Sequence, residues 1–174
     1  MKSAIFPLSA NPPHYGHFWL IETAAKLTDK LVVGIGDNED KNYAFTNEER
    51  VEMVKSAIDL PNVEVVGYPK MYLWEFAKKM NIPVLIRGMR SANDFSGEKA
   101  LQNYNQDKWP ELTTVYIVSP DKISDFSSSL VRDLTKDVSD LEIRCLKKLV
   151  PEPILKRLLE KELARKALPN EKGL

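Results

Sequence analysis

One cysteine, Cys145, stands in the 174 residues of the chain. A single thiol excludes an intrachain disulfide framework and a multi-cysteine metal cluster. Flanked by Ile143 and Leu146, it is expected to be a buried structural thiol rather than a nucleophile. Neither sign of charge is in excess, with 25 Lys and Arg against 25 Asp and Glu. That balance argues against holding a polynucleotide through bulk positive charge, so no nucleic acid is expected as a partner. No apolar run approaches the ~18–20 residues needed to cross a bilayer, and no membrane is expected either. The opening Met1 to Pro7 is too short an apolar stretch for a signal peptide. Internal repeats and low-complexity segments are also lacking. What is present is ordinary for one globular domain: at 43% hydrophobic and 29% charged, the chain is too apolar to be disordered. A cytoplasmic enzyme or binding domain is the expectation.

Apolar runs read as strands at Ser3–Phe6, stopped by Pro7, and at Leu31–Gly36, Val63–Val66, Val84–Ile86 and Thr114–Val118. Helical spacing begins at Gly16, with Phe18, Leu20, Ile21, Ala24, Ala25 and Leu27. Thr46-Asn47-Glu48-Glu49 is a capping box, in which the Thr hydroxyl accepts from the third amide and Glu49 reaches back. Val51, Val54, Ile58 and Leu60 form that helix's apolar stripe. Further helices are expected at Leu73–Met80, Asp94–Tyr104, Ser128–Leu134 and Pro151–Ala167, the last with Ile154, Leu155, Leu158, Leu159 and Leu163 on one face. Strands and helices alternate about five times, the pattern of a single doubly wound α/β domain with a central parallel five-stranded sheet. Residues 169–174 read as a loose tail.

In such a sheet ligands bind beyond the carboxyl ends of the strands, and the loops there are unusual. Both histidines of the chain, His14 and His17, follow the first strand as His14-Tyr15-Gly16-His17. Gly16 lets backbone come close to a ligand, and an imidazole in the first turn of a helix is well placed to donate to phosphate. The alternative is a pair of histidines that cap the helix or face solvent. Arg87-Gly88-Met89-Arg90 sets two guanidiniums at the end of the fourth strand, where a planar fork suits phosphate, although either could instead pair with Asp94 or Glu98. Ser127-Ser128-Ser129 opens a helix with hydroxyls and amides together, as a phosphate cradle or as a plain cap. Lys41 is a further cation at the same edge. No nucleophile–base pair is apparent, and no carboxylates with metal-ligand spacing stand at the strand ends. Cations and amide donors without a nucleophile fit direct phosphoryl or nucleotidyl transfer.

Taken together, Asn11-Pro12-Pro13-His14-Tyr15-Gly16-His17, Ala44-Phe45-Thr46-Asn47-Glu48-Glu49-Arg50, Val63-Glu64-Val65-Val66-Gly67, Val84 to Arg90, Asp94-Phe95 and Ser127 to Val131 resemble the nucleotidyltransferase superfamily with the (H/T)xGH signature. Within it the chain is most similar to the bacterial phosphopantetheine adenylyltransferases. The likeness covers roughly residues 3–135 and implies a Rossmann-like nucleotidyltransferase core over 1–135, with residues 136–168 as helices packing on the same domain. It implies adenylyl transfer from ATP to 4′-phosphopantetheine by direct in-line attack, giving dephospho-coenzyme A and pyrophosphate, with Mg²⁺ brought on the ATP phosphates. It also implies a hexamer. By the same resemblance His17, Lys41 and Arg90 are catalytic. Ser9, His14, His17, Arg90, Glu98, Ser127, Ser128 and Ser129 bind ATP; Ser9, Lys41, Tyr72, Leu73, Arg87, Leu101 and Asn105 bind the acceptor.

The chain departs from the family at Leu8, where a glycine is usual, at Asn11 for aspartate, and at Ser96-Gly97, where an acidic–aromatic pair is common. His14 at the first signature position resembles nicotinate/nicotinamide mononucleotide adenylyltransferases, which makes a pyridine mononucleotide the alternative acceptor. Leu8 and the altered segment before Glu98 motivate a third reading, a non-catalytic nucleotide-binding protein on the same scaffold.

Overall fold

Strands β1 (Ser3–Leu8), β2 (Lys30–Gly36), β3 (Val63–Tyr68), β4 (Val84–Met89) and β5 (Thr113–Val118) pair in parallel in the order β3-β2-β1-β4-β5. This is a computed structural model, and it describes residues 1–38, 41–137 and 139–167; the expected tail at 169–174 lies outside the described residues. Helices α1 (Tyr15–Lys26), α2 (Asn47–Lys55), α3 (Leu73–Met80) and α4 (Asp94–Lys108) connect the strands. After β5 come α5 (Asp121–Ser124), α6 (Ser128–Thr135), α7 (Asp140–Leu149) and α8 (Glu152–Ala167).

The two-residue period of a strand divides its side chains between the sheet's faces. Ala4, Phe6, Leu31, Val33, Ile35 and Ile86 join a large apolar layer with α1, α2, α6, α7 and α8. Their neighbours Ile5, Val32 and Leu85 face a smaller layer with Phe76 and Ala77 of α3, Ile82, Trp109 and Leu112. Both faces are covered, which is why β1 and β2 read as continuous apolar runs. Each fully buried Val, Leu, Ile or Phe among them contributes about 1.5–3 kcal/mol of transfer free energy. The expected capping box is formed: the Glu49 amide donates to Thr46 Oγ1 at 3.2 Å, and the Thr46 amide donates to Glu49 Oε2 at 2.9 Å.

Several expectations are corrected. Pro7 does not stop β1, which runs on to Leu8 paired with β2. The pairing of β1 with β4 is confined to Ile5 and Leu85, so the missing proline N–H lies beyond that ladder and costs it nothing. β4 continues through Arg87, Gly88 and Met89, so only Arg90 of the two guanidiniums lies past the strand. α2 ends at Lys55, leaving Ile58 and Leu60 to pack from the turn after it. α4 continues beyond Tyr104 to Lys108. Leu163 is 59% exposed, whereas Ile154, Leu155 and Leu158 are buried. Cys145 is half-buried rather than buried.

Candidate active site

The chain builds β1, β2 and β3 outward in one direction and then crosses to the other side of β1 to lay down β4 and β5. The order therefore reverses between β1 and β4, and the crevice at their carboxyl ends is where an open α/β sheet receives a ligand. The loop after β1 carries Ser9, His14 and His17; the residue after β4 is Arg90.

His14 is the N-cap of α1. Its Nδ1 accepts from the Gly16 amide at 3.1 Å, while its own amide donates to Nδ1 of His17 at 3.2 Å. A β-carbon at Gly16 would come within 3.0 Å of the His14 ring, so glycine is what lets the imidazole close over the turn. The two rings lie 3.8 Å apart between centroids. With Nδ1 of each accepting, each neutral ring carries its proton on Nε2, directed away from the helix turn. Burial, reinforced by the Arg90 charge, pushes His14 down to about 4. Burial also holds His17 well below its ordinary value, with His14 and Arg90 adding to the effect. The pair caps a helix, so the capping reading is realised, and it leaves two neutral N–H donors for a ligand.

Arg90 is half-exposed and 3.6 Å from Asp94, whose carboxylate also accepts from the Arg90 and Ser91 amides. Those amide bonds, with the guanidinium nearby, hold the Asp94 carboxyl below its usual range. The three serines are more engaged than expected. Ser127 Oγ accepts from the Leu130 amide as the N-cap of α6. Ser128 Oγ donates to the Pro12 carbonyl at 2.8 Å, tying α6 to the histidine loop, and Ser129 Oγ accepts from Arg132 at 3.0 Å. What the segment offers a ligand is the first-turn amides of α6 more than its hydroxyls.

Across β4 a second group assembles. Leu73, Arg87, Glu98, Leu101 and Asn105, expected from the resemblance, line one depression with Leu85, Gln102, Thr114 and Tyr116. Arg87 pairs side-on with Glu98, Nε to Oε2 at 2.8 Å and Nη2 to Oε1 at 2.5 Å, with both side chains mostly buried. Burial opposes the charged guanidinium, but the bonds to Glu98 outweigh it and Arg87 is raised overall. Glu98, expected among the ATP-binding residues, thus stands beside Arg87 and other residues expected to bind the acceptor. Tyr72, also expected to bind the acceptor, does not line the depression; it is 61% exposed, its ring 6.2 Å from that of Tyr104.

Ser9 and the exposed Lys41 come from loops that are stitched together. Asn11 donates to the Asn42 carbonyl at 3.0 Å and accepts from the Ala44 amide at 3.2 Å, a double role an aspartate could not fill. Arg50, which the sequence reasoning left unassigned, is buried beneath both loops and bonds to the Ser9 and Gly36 carbonyls. The available signal was spacing: Asn47, Arg50, Val51 and Val54 share the core face of α2, so two polar residues sit on an apolar stripe. Among the described residues no group of three or more His, Cys, Asp or Glu could hold a metal ion.

This fold and this crevice of amide, imidazole and guanidinium donors define a nucleotidyltransferase class of α/β protein. The cytidylyltransferase-like family matches the chain over residues 5–134. A phosphopantetheine adenylyltransferase of Photorhabdus laumondii is 36% identical over 159 residues, covering 91% of this chain and 96% of that protein. One of Caldanaerobacter subterraneus is 36% identical over 162 residues, covering 92% and 98%. The chain belongs to the cytidylyltransferase-like family and, within it, to the phosphopantetheine adenylyltransferases. Among solved structures, the fold is shared with the Plasmodium falciparum nicotinic acid mononucleotide adenylyltransferase complexed with NaAD (TM-score 0.63, 17% identity, 96% of this chain and 97% of that one). It is shared too with Thermotoga maritima TmcAL bound with alpha-thio ATP (TM-score 0.67, 13% identity, 95% and 56%).

Proposed function

We propose that the protein transfers the adenylyl group of ATP to 4′-phosphopantetheine, a step of coenzyme A biosynthesis. An oxygen of the pantetheine phosphate attacks the α-phosphorus, a P–O bond forms, the bond to the β-phosphate bridging oxygen breaks, and pyrophosphate leaves. The observation that carries this reading is the division of the crevice. Two neutral Nε2–H donors and Arg90 stand on the β1 side, and Arg87 heads a depression lined by Leu73, Leu85 and Leu101 on the other. A phosphate followed by an aliphatic arm matches the chemistry of that lining, with Asn105 beside it for an amide of the arm.

His17 stabilises the charge that develops on the α-phosphate. Such a donor, fixed before the reaction, costs no reorganisation when charge appears. Arg90 and the amides of Ser128 and Ser129 hold the ATP phosphates, with His14 beside them, and Ser9 and Lys41 position the attacking phosphate. Mg²⁺ would be brought in on the triphosphate and would neutralise part of its charge there; the carboxylates of Asp94 and Glu98 accept from Arg90 and Arg87. Leu8, where the family has glycine, packs half-buried against the large apolar layer.

No described helix is long and apolar enough to cross a membrane, and a cytoplasmic hexamer remains the expectation to test by sedimentation. A pyridine mononucleotide is the competing acceptor, favoured by His14. Pyrophosphate release from ATP and Mg²⁺, with 4′-phosphopantetheine and nicotinamide mononucleotide in parallel, decides between them. Turnover with the first alone supports the proposal. Turnover with the second alone replaces it, and silence with both in a folded protein returns the reading to nucleotide binding without chemistry.

A further inference from the structure

Arg50 is 1% exposed, an unusual place for a guanidinium whose bonds go mainly to main-chain carbonyls. Its Nε donates to the Phe45 and Thr46 carbonyls at 3.2 and 3.3 Å. Nη1 donates to the Ser9 carbonyl at 2.5 Å and the Gly36 carbonyl at 3.0 Å, and Nη2 pairs with the Asp37 carboxylate. The Tyr43 ring lies 4.1 Å from the guanidinium carbon. Every nitrogen is engaged, and the partners lie on three separate pieces of chain: the loop after β1, the end of β2 with the start of the next loop, and the entry to α2.

These pieces converge for a reason that stability alone does not require. Ser9 and Lys41 come from the first two, and Asn11 joins them a second time through Asn42 and Ala44. Asn47 extends the same network by donating to the Ile35 carbonyl and to Asp37. Resting on the adenylyl-transfer reading above, we propose that Arg50 is a positioning residue. It locks the Ser9 loop to the Lys41 loop so that both meet the attacking phosphate in one fixed geometry, and so governs turnover as well as folding. Lysine cannot do this work. Its three donors radiate from one nitrogen, whereas the planar fork reaches carbonyls at the ends of two strands and a carboxylate at once.

The test uses Arg50→Lys, which keeps the charge, and Asp37→Asn, a milder change that removes only the carboxylate charge. Amide hydrogen exchange by mass spectrometry is read with thermal melting and with the kinetics of pyrophosphate release. The expected result for Arg50→Lys is exchange at least about tenfold faster in segments 8–12 and 41–46 with the β2 core unchanged, the signature of local opening. Under conditions where melting shows the variant folded, kcat falls by about 10²-fold, the scale of a 1 Å misplacement, while KM for ATP stays within about threefold. Asp37→Asn gives the same pattern at smaller amplitude.

A variant that melts earlier but keeps its kcat and its loop exchange when folded overturns the proposal and leaves Arg50 a structural residue. If Arg50→Lys does not fold, Asp37→Asn decides by the same readouts. If the wild-type protein turns over neither acceptor, the adenylyl-transfer reading fails by itself. Exchange then still decides the tether: faster loop exchange in the variants keeps it, and unchanged exchange removes it.

Discussion

The two sides of the crevice are prepared for charged ligands in opposite ways. On the β1 side the imidazoles of His14 and His17 are neutral, and their Nδ1 atoms accept from amides of one helix turn, so their donors are set before any ligand arrives. On the far side of β4 the Arg87 guanidinium is already closed on the Glu98 carboxylate, and a phosphate must share or displace that partner. The first arrangement suits charge that appears only in the transition state, since nothing has to be reorganised for it. The second suits a substrate whose charge is present from the start, because exchanging one anion for another keeps a half-buried cation paired.

The sharpest way to break this comparison is His17→Ala. If the neutral donor serves the transition state, kcat falls by about 10²–10³ with the KM of either substrate little changed and the fold retained by circular dichroism. A loss confined to KM would place His17 in ground-state binding and erase the contrast.

Acidification probes the same side through stability. The folded protein keeps His14 neutral down to about pH 4, while the unfolded chain takes up its proton near the ordinary value of 6.5. Between those values the unfolded state binds more protons, so stability falls as pH falls. The contribution is fully present above pH 6.5 and amounts to about 3 kcal/mol lost by pH 4. Urea denaturation at neutral and acid pH should show that His14→Asn, which can still cap the helix, loses less stability on acidification than the wild type. Parallel losses in the two proteins would mean that His14 is not held neutral.

Glu98→Gln addresses the far side and carries the smallest effect. Removing the carboxylate charge frees Arg87 for an incoming phosphate, so the acceptor's KM should fall by about tenfold, the scale of one charge-assisted bond. ATP's KM should stay within about twofold. A change in ATP's KM instead would return Glu98 to the nucleotide side, where the family resemblance placed it.

What could be read in the chain beforehand follows from how local each cause is. The Thr46 capping box and the bounds of α3 are set within a few residues, and both are found as expected. For α7 the resemblance implied only helices within residues 136–168, and its bounds, Asp140–Leu149, come from the structure. The serines at 127–129 were legible as donors, but their hydroxyls are taken by Leu130, Pro12 and Arg132, the second of these 116 positions away in sequence.

By itself the sequence determined the alternation of apolar runs and capped helices, and hence the parallel sheet. It also determined the residue types at each strand's carboxyl end, because periodicity and capping are short-range physics. Only the tertiary structure decided which of those residues lie together. It paired Arg87 with Glu98 and Arg90 with Asp94. It buried Arg50 beneath two loops and packed Leu8, half-buried, against the large apolar layer. These outcomes depend on contacts between distant segments and on desolvation, and neither acts until the sheet has closed.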